Sequence, residues 1–194
     1  MILVKLKEAT KEQHENLENT VSIMKQMFSK GDYEVLLAKF YRFYLAVESK
    51  LGLINLSDTG IDFDGRRKTE FLENDLRNLG VFDVVRQRMH SWEDLPNLNT
   101  AAQALGCMYV LEGATLGGQI ITRQLKQSLG ITPVNGGSFF NSYGDRVGPM
   151  WKKFGAAITE FAEKNEDDDE IVCSAKNTFD SFRNCFTEPI EGNV

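Results

Sequence analysis

The sequence predicts an all-α protein, and three observations carry that prediction. Only four prolines, Pro96, Pro133, Pro149 and Pro189, interrupt the 194 residues, leaving long stretches free of helix breakers. Within those stretches apolar residues recur at spacings of three and four, the period of one helix face. Hydrophobic residues at 42%, charged residues at 26% and thirteen Phe supply enough apolar material for one ordinary core and exclude a disordered chain. The length suits a single domain over 1–194, with no internal repeat or low-complexity linker to divide it.

A first helix is expected over 2–18, followed by a shorter element over 19–29 in which Met24, Met27 and Phe28 offer packing groups. Gly31-Asp32 then opens a strong helix over 33–53, with Leu36, Leu37, Phe40, Tyr44, Val47 and Leu51 on one stripe. Helices over 66–79 and 81–90 follow, and 91–99 reads as a loop ending in a candidate cap, Asn99. From Thr100 to Leu129 the pattern is helical again, with Gly130 as its stop. Residues 131–137 read as a loop, and helices over 145–164 and 169–187 close the chain. The acidic run of Glu163, Glu166, Asp167, Asp168, Asp169 and Glu170 falls between these last two, where carboxylates favour the positive end of the final helix. It is not read as a metal site, because consecutive helical residues diverge and the alternating ligands of a calcium loop are missing.

Charge and cysteine content narrow the function classes. A formal charge of -6, with no long basic cluster, argues against a nucleic-acid partner. No apolar run approaches bilayer length and the first residues lack a signal-peptide layout, so a cytoplasmic protein without a membrane partner is expected. Cys107, Cys173 and Cys185 are odd in number and widely spaced, which fits neither a disulfide framework nor a zinc ribbon; all three are expected to be buried packing residues.

Histidine is scarce, with only His14 and His90, so catalytic triads and multi-histidine metal sites lack material. One histidine is still enough to ligate a haem iron. On a continuous first helix Lys7 and Lys11 lie about 10 and 5 Å from His14 along the axis, on roughly the same side. Glu18, four residues on, is placed to orient the imidazole and raise its basicity. A surface histidine in a Lys- and Glu-rich helix is the bland alternative. The helix over 100–129 is unusually rich in glycine, and each interior glycine costs about 1 kcal/mol relative to alanine. Gly106, Gly113 and Gly117 fall on one face, which leaves a bare backbone over which a flat ligand or another helix can lie, and the pair Gly117-Gly118 permits a kink.

These two segments resemble the haem oxygenases. Leu6-Lys7-Glu8-Ala9-Thr10-Lys11-Glu12-Gln13-His14, followed by Glu18, resembles the proximal helix of that family. Tyr109-Val110-Leu111-Glu112-Gly113-Ala114-Thr115-Leu116-Gly117-Gly118-Gln119 resembles the distal helix, in a form most similar to bacterial members, including those that supply biliverdin to phytochromes. The middle segment Arg67-Lys68-Thr69-Glu70-Phe71-Leu72-Glu73-Asn74-Asp75-Leu76 is also similar, so the resemblance spans nearly the whole chain.

The resemblance implies a multi-helical array with haem sandwiched between a proximal and a distal helix, haem serving as both substrate and cofactor. It implies oxidation of haem to biliverdin, carbon monoxide and ferrous iron. By that likeness His14 is the axial iron ligand, Glu18 hydrogen-bonds its ring, and Lys7 and Lys11 pair with the propionates. Gly113 and Gly117 bring the distal backbone close to the haem, with Thr115 as a candidate catalytic group beside them. One departure matters. In the mammalian type an aspartate follows the first distal glycine and organises water there, whereas this chain has Ala114. Thr115, Glu112 or backbone carbonyls are then left to order the water.

Further along, Phe139-Phe140-Asn141-Ser142-Tyr143-Gly144 and Val147-Gly148-Pro149-Met150-Trp151-Lys152-Lys153-Phe154 look like the bacterial segment that closes one side of the pocket. Tyr143, Lys152 and Lys153 are expected within reach of a propionate, with solvated surface as the alternative for the lysines. Phe179 and Phe182 are expected to form core and pocket wall. No Gly-x-Gly-x-x-Gly follows a strand, so electrons must come from an external donor such as a ferredoxin or a flavin reductase. Lys5, Lys7 and Lys11 offer it a basic landing site. Two other readings stay open: a haem carrier or sensor with little turnover, suggested by Ala114, and a haem-free helical protein on the same scaffold.

Overall fold

The computed structural model describes residues 1–25 and 29–190, and every element in them is helix, turn or loop. The packing roles expected of Met24, Met27 and Phe28 lie outside the described residues and side chains. Eight α-helices run in chain order: α1 (Ile2–Ala9), α2 (Lys11–Lys25), α3 (Lys30–Leu51), α4 (Thr69–Leu79), α5 (Phe82–Arg88), α6 (Ala101–Leu129), α7 (Val147–Asn165) and α8 (Asp168–Thr187).

The expected first helix is split. Thr10 leaves helical geometry at φ -104° and ψ 8°, and both its amide and its hydroxyl donate to the Leu6 carbonyl, at 2.9 and 2.7 Å. A threonine that bonds back onto the preceding turn bends a helix without ending its hydrogen bonding, and His14 N–H still reaches Thr10 O at 2.9 Å. After the bend α2 continues to Lys25, through part of the segment expected as a separate element. Helix α3 starts three residues earlier than expected. Ser29 and Asp32 form a capping box there, each side chain accepting the other's backbone N–H.

Helix α6 is capped by Thr100, not Asn99: the Thr100 hydroxyl accepts from Gln103 N–H at 3.1 Å, while Asn99 N–H donates to the Gln103 side chain at 2.8 Å. The helix ends at Gly130 with φ 67°, the left-handed conformation that glycine adopts without strain. By length and composition α6 could cross a membrane, yet half of its most apolar window is buried inside the fold, as in a core helix.

Helix α8 is the hub, packing against α6, α2, α1 and α3. Its Phe182 stacks on Phe43 of α3 at 4.2 Å, with Phe40, Tyr44 and Phe186 around it and Phe139 packed on Phe40 and Tyr44. Lys39 and Arg42 of α3 donate to the Phe186 and Cys185 carbonyls at 2.5 and 2.6 Å, which complements the negative end of α8. The expected acidic start is present at the other end, with Asp168, Asp169 and Glu170 in the first turn. Cys107 and Cys185 are buried and free as expected; Cys173 is exposed, because it lies on the outer face of α8.

Candidate functional site

Both α2 and α6 have α8 as their principal neighbour, so the proximal and distal segments named above flank one helix. They are set in register one turn earlier. The Thr10 side chain, four residues before His14, faces the Tyr109 phenol, four residues before Gly113; burial pushes that phenol up and Thr10 works against the shift. Tyr109 in turn lies on Trp151 of α7, with ring centroids 5.8 Å apart.

On the proximal side the His14 imidazole is 55% exposed. It stands edge-on against Phe179 of α8, whose own ring is 5% exposed. Nδ1 faces the Glu18 carboxylate at 3.8 Å, beyond hydrogen-bond length. A carboxylate on that side favours the tautomer with the proton on Nδ1, leaving the Nε2 lone pair open. Lys7 sits exposed on α1, whereas Lys11 lies beyond the bend, 3.9 Å from Glu15. Lys5, expected in the basic landing site, pairs its ammonium with Asp169 at 2.8 Å and Asp168 at 3.4 Å in an exposed contact.

On the distal side the glycines separate into two kinds. A Cβ at Gly106 collides with the Ile171 carbonyl and falls 2.9 Å from the Ser174 Cβ, so of the two uses its spacing allowed, a flat ligand or another helix, this glycine serves the second and admits α8. A Cβ at Gly118 collides with the Phe140 carbonyl. That carbonyl belongs to a 3-10 turn, Phe139–Asn141, fixed by Asp75, which accepts from Ser138 N–H, Ser138 Oγ and Phe139 N–H at 2.7 to 2.8 Å. Burial pushes the Asp75 carboxyl up, and those three donors work against it.

Between these two close contacts, a Cβ at Gly113 or Gly117 meets nothing within 4 Å. Leu116 and Ile120, on the same stripe at i+3 and i+7 from Gly113, are 47% and 59% exposed. An uncovered apolar stripe with a bare backbone suits a flat apolar ligand. Among the described residues no group of three His, Cys, Asp or Glu side chains gathers to hold a bare metal ion. One exposed imidazole and an uncovered apolar stripe, on helices that share α8, are instead the groups that suit an iron already held by a macrocycle, so the residues present fit a haem.

Thr115, Glu112 and Tyr143 have protein partners of their own. Thr115 Oγ1 donates to the Glu112 carbonyl at 2.6 Å, one turn back on its own helix. The Glu112 carboxylate is buried, taking Arg66 Nη1 at 2.5 Å and the Tyr143 hydroxyl at 2.7 Å. Tyr143, expected at a propionate, is therefore corrected to an interior residue: its oxygen also accepts from Lys68 Nζ at 2.7 Å, and burial pushes its phenol up. Lys152 and Lys153 are exposed on α7. Arg66 and Lys68 were not singled out from sequence. Besides the place of Lys68 in the family-like middle segment, their signal is three consecutive cations, Arg66-Arg67-Lys68, which reads as surface until its partners 46 and 75 residues away are known. Two open hollows of about 450 and 460 Å³ share Arg67 as a lining residue and include neither His14 nor the glycine stripe.

Solved structures of other proteins share this helical fold. No curated protein sequence matches the chain. Among solved structures, NO- and CO-bound heme oxygenase from Neisseria meningitidis matches with a TM-score of 0.75 at 19% identity, covering 99% of this chain and 95% of that one. Heme oxygenase from Leptospira interrogans matches with a TM-score of 0.70 at 21% identity, covering 97% and 99%. At those identities the likeness concerns the fold. A family model described as heme oxygenase matches residues 1–188, and on that match the chain belongs to the haem oxygenase family.

Proposed function

We propose that the protein oxidises haem to biliverdin, carbon monoxide and ferrous iron, using dioxygen and electrons from an external donor such as a ferredoxin or a flavin reductase. The observation that carries this reading is the uncovered stripe of Gly113, Leu116, Gly117 and Ile120, on a helix that shares α8 with the exposed imidazole of His14. When bound, haem supplies the iron at which dioxygen is activated and the porphyrin edge that is oxidised.

The chain's own residues have four tasks in this reading. His14 presents Nε2 to the iron, with Phe179 limiting how its ring turns and Glu18 favouring the required tautomer. Lys7 and Lys11 take the propionates. The Gly113 and Gly117 backbone, free of side chains, lets the distal helix approach the porphyrin while leaving room for a small diatomic. Leu116 and Ile120 keep bulk water from the apolar face. With Ala114 in the chain and both Thr115 Oγ1 and the Glu112 carboxylate already bonded, distal water is ordered by α6 carbonyl groups.

That last point favours a second reading, a haem carrier or sensor, since the Thr115 hydroxyl spends its one proton on the Glu112 carbonyl and no side chain from 112 to 115 has a donor left for proton delivery. An absorption time course separates the two. One equivalent of haemin is added to the purified protein, followed by ascorbate or a ferredoxin reducing system in air. Loss of the Soret band with growth of a biliverdin band is expected; a shifted Soret band that persists would replace the oxygenase reading with the carrier. His14→Ala is expected to abolish the histidine-ligated spectrum, and an unchanged spectrum would remove the ligand assignment.

A further inference from the structure

The uncovered span from Gly113 to Gly117 raises the question of what holds it in place. No residue from 113 to 117 is buried, whereas Glu112 and Gly118 on either side are, so the place of this span is set chiefly by its two buried flanks. At one end Gly118 sits on the Phe140 carbonyl. At the other, immediately before Gly113, stands Glu112, with its side chain 3% exposed.

Three donors from two other parts of the chain converge on that carboxylate. Arg66 Nη1 donates to Oε2 at 2.5 Å, the Tyr143 hydroxyl donates to Oε1 at 2.7 Å, and Lys68 Nζ lies 3.6 Å from Oε1. These donors are themselves held. The Arg66 guanidinium reaches the Met150 carbonyl at 3.5 Å and lies over the Phe154 ring; Lys68 Nζ donates to Tyr143 and to the Arg66 carbonyl. The Lys68 amide donates to Glu48 Oε1 at 2.6 Å, and Thr69 donates twice to Glu48 Oε2. Two cations, Arg66 and Lys68, thus face the Glu112 carboxylate in the interior, while Glu48 holds the backbone at Lys68 and Thr69. Buried ion clusters are seldom more stable than apolar packing of the same volume, and their best-attested use is to fix one geometry.

We propose that Glu112, gripped by Arg66, Tyr143 and Lys68, is a positioning residue for the distal wall: it sets where the Gly113–Gly117 backbone stands, and hence the height of the space above the haem. The proposal rests on the haem reading of the stripe, while the tether itself belongs to the free protein. Glu112 touches neither haem nor dioxygen in this role; it acts through the backbone of the next residue.

The test uses Glu112→Gln, which keeps the shape and removes the charge, and Tyr143→Phe, which removes one hydrogen bond and keeps the ring. Hydrogen–deuterium exchange of the free protein is expected to quicken by about tenfold or more in peptides covering 108–121, the loss of a hydrogen bond to a charged group, with α3 and α8 unchanged. Azide binding to the ferric haem complex is then expected to shift by about two- to thirtyfold while the histidine-ligated spectrum is retained. Exchange that quickens equally in all helices, or not at all in 108–121, overturns the proposal. So does localised quickening with unchanged azide affinity. If Glu112→Gln does not fold, Tyr143→Phe decides. If the parent protein forms no haem complex, the function proposed above fails, and the exchange measurement still decides whether the tether exists.

Discussion

The His14 imidazole stands edge-on to Phe179, with ring centroids 5.7 Å apart and planes at 76°. One ring belongs to the proximal helix and the other to the hub helix α8, so the orientation of the proposed iron ligand is coupled to the core. Phe179→Ala is expected to destabilise the fold by about 3–5 kcal/mol, the usual cost of emptying a buried aromatic site. Phe179→Leu keeps most of the volume and is expected to cost about 1 kcal/mol. Both variants remove the edge contact and should weaken haem binding. Urea unfolding beside a haemin titration checks this, and undiminished haem affinity in Phe179→Leu would detach Phe179 from the site.

The glycines of α6 give a prediction in which stability and ligand binding move in opposite directions. Gly113→Ala and Gly117→Ala place a methyl in open space and gain about 1 kcal/mol of helix propensity each, so the ligand-free protein should melt at a higher temperature. The same methyls occupy the face proposed for haem and should lower its affinity. Gly106→Ala and Gly118→Ala push a methyl into a backbone carbonyl and are expected to destabilise by about 1–3 kcal/mol. Calorimetry of the four variants without haem separates the pairs. A Gly113→Ala protein that melts as early as Gly106→Ala would mean that the stripe is covered.

This division shows what was legible in the sequence. Gly106, Gly113 and Gly117 share one side of a straight helix, and the spacing recovers that. Spacing cannot say which neighbour lies over each turn: α8 presses on Gly106 and is no longer in contact at Gly113. The all-α class, the ends of α6 to α8 and the acidic start of α8 follow from periodicity, Gly130 and charge, all local signals. The bend at Thr10 leaves no trace in periodicity, because apolar spacing continues through it and the hydrogen bond from His14 is kept. Tyr143 was misplaced for a different reason. A phenol next to a pocket segment is ambiguous until Lys68 and Glu112, 75 and 31 residues away, are seen to hold it.

Glu18 is expected to matter less than a buried partner of a ligating histidine. It lies 3.8 Å from Nδ1, and both side chains are more than half exposed, so water screens the pair and competes for the imidazole N–H. Partners of metal-bound histidines usually change affinity by about 10–100-fold, and Glu18→Gln should fall at or below the bottom of that range. A haemin titration together with the iron–histidine stretching frequency of the ferrous complex tests the claim. A hundredfold loss of affinity would mean that the carboxylate closes onto the ring when haem binds.

The contact of Lys5 with Asp169 and Asp168 ties the first turns of α1 and α8 together and gives a pH dependence of known sign. The hydrogen bond from Lys5 lowers the Asp169 carboxyl below its ordinary 3.8, so its contribution is present above that value and is lost as pH falls through the depressed value. The same hydrogen bond to Asp169 raises the Lys5 ammonium above 10.5, so its contribution is complete below 10.5 and is lost as pH rises through the raised value. The stability difference between the parent and Lys5→Met should therefore form a plateau between those limits and vanish at either extreme. Because the pair is exposed, the plateau should be low and should shrink further in high salt. Urea midpoints of the two proteins at acid, neutral and alkaline pH, each at low and high ionic strength, test this directly. A difference that persisted at acid pH would show that Lys5 stabilises α1 through its packed methylene stem instead of its charge.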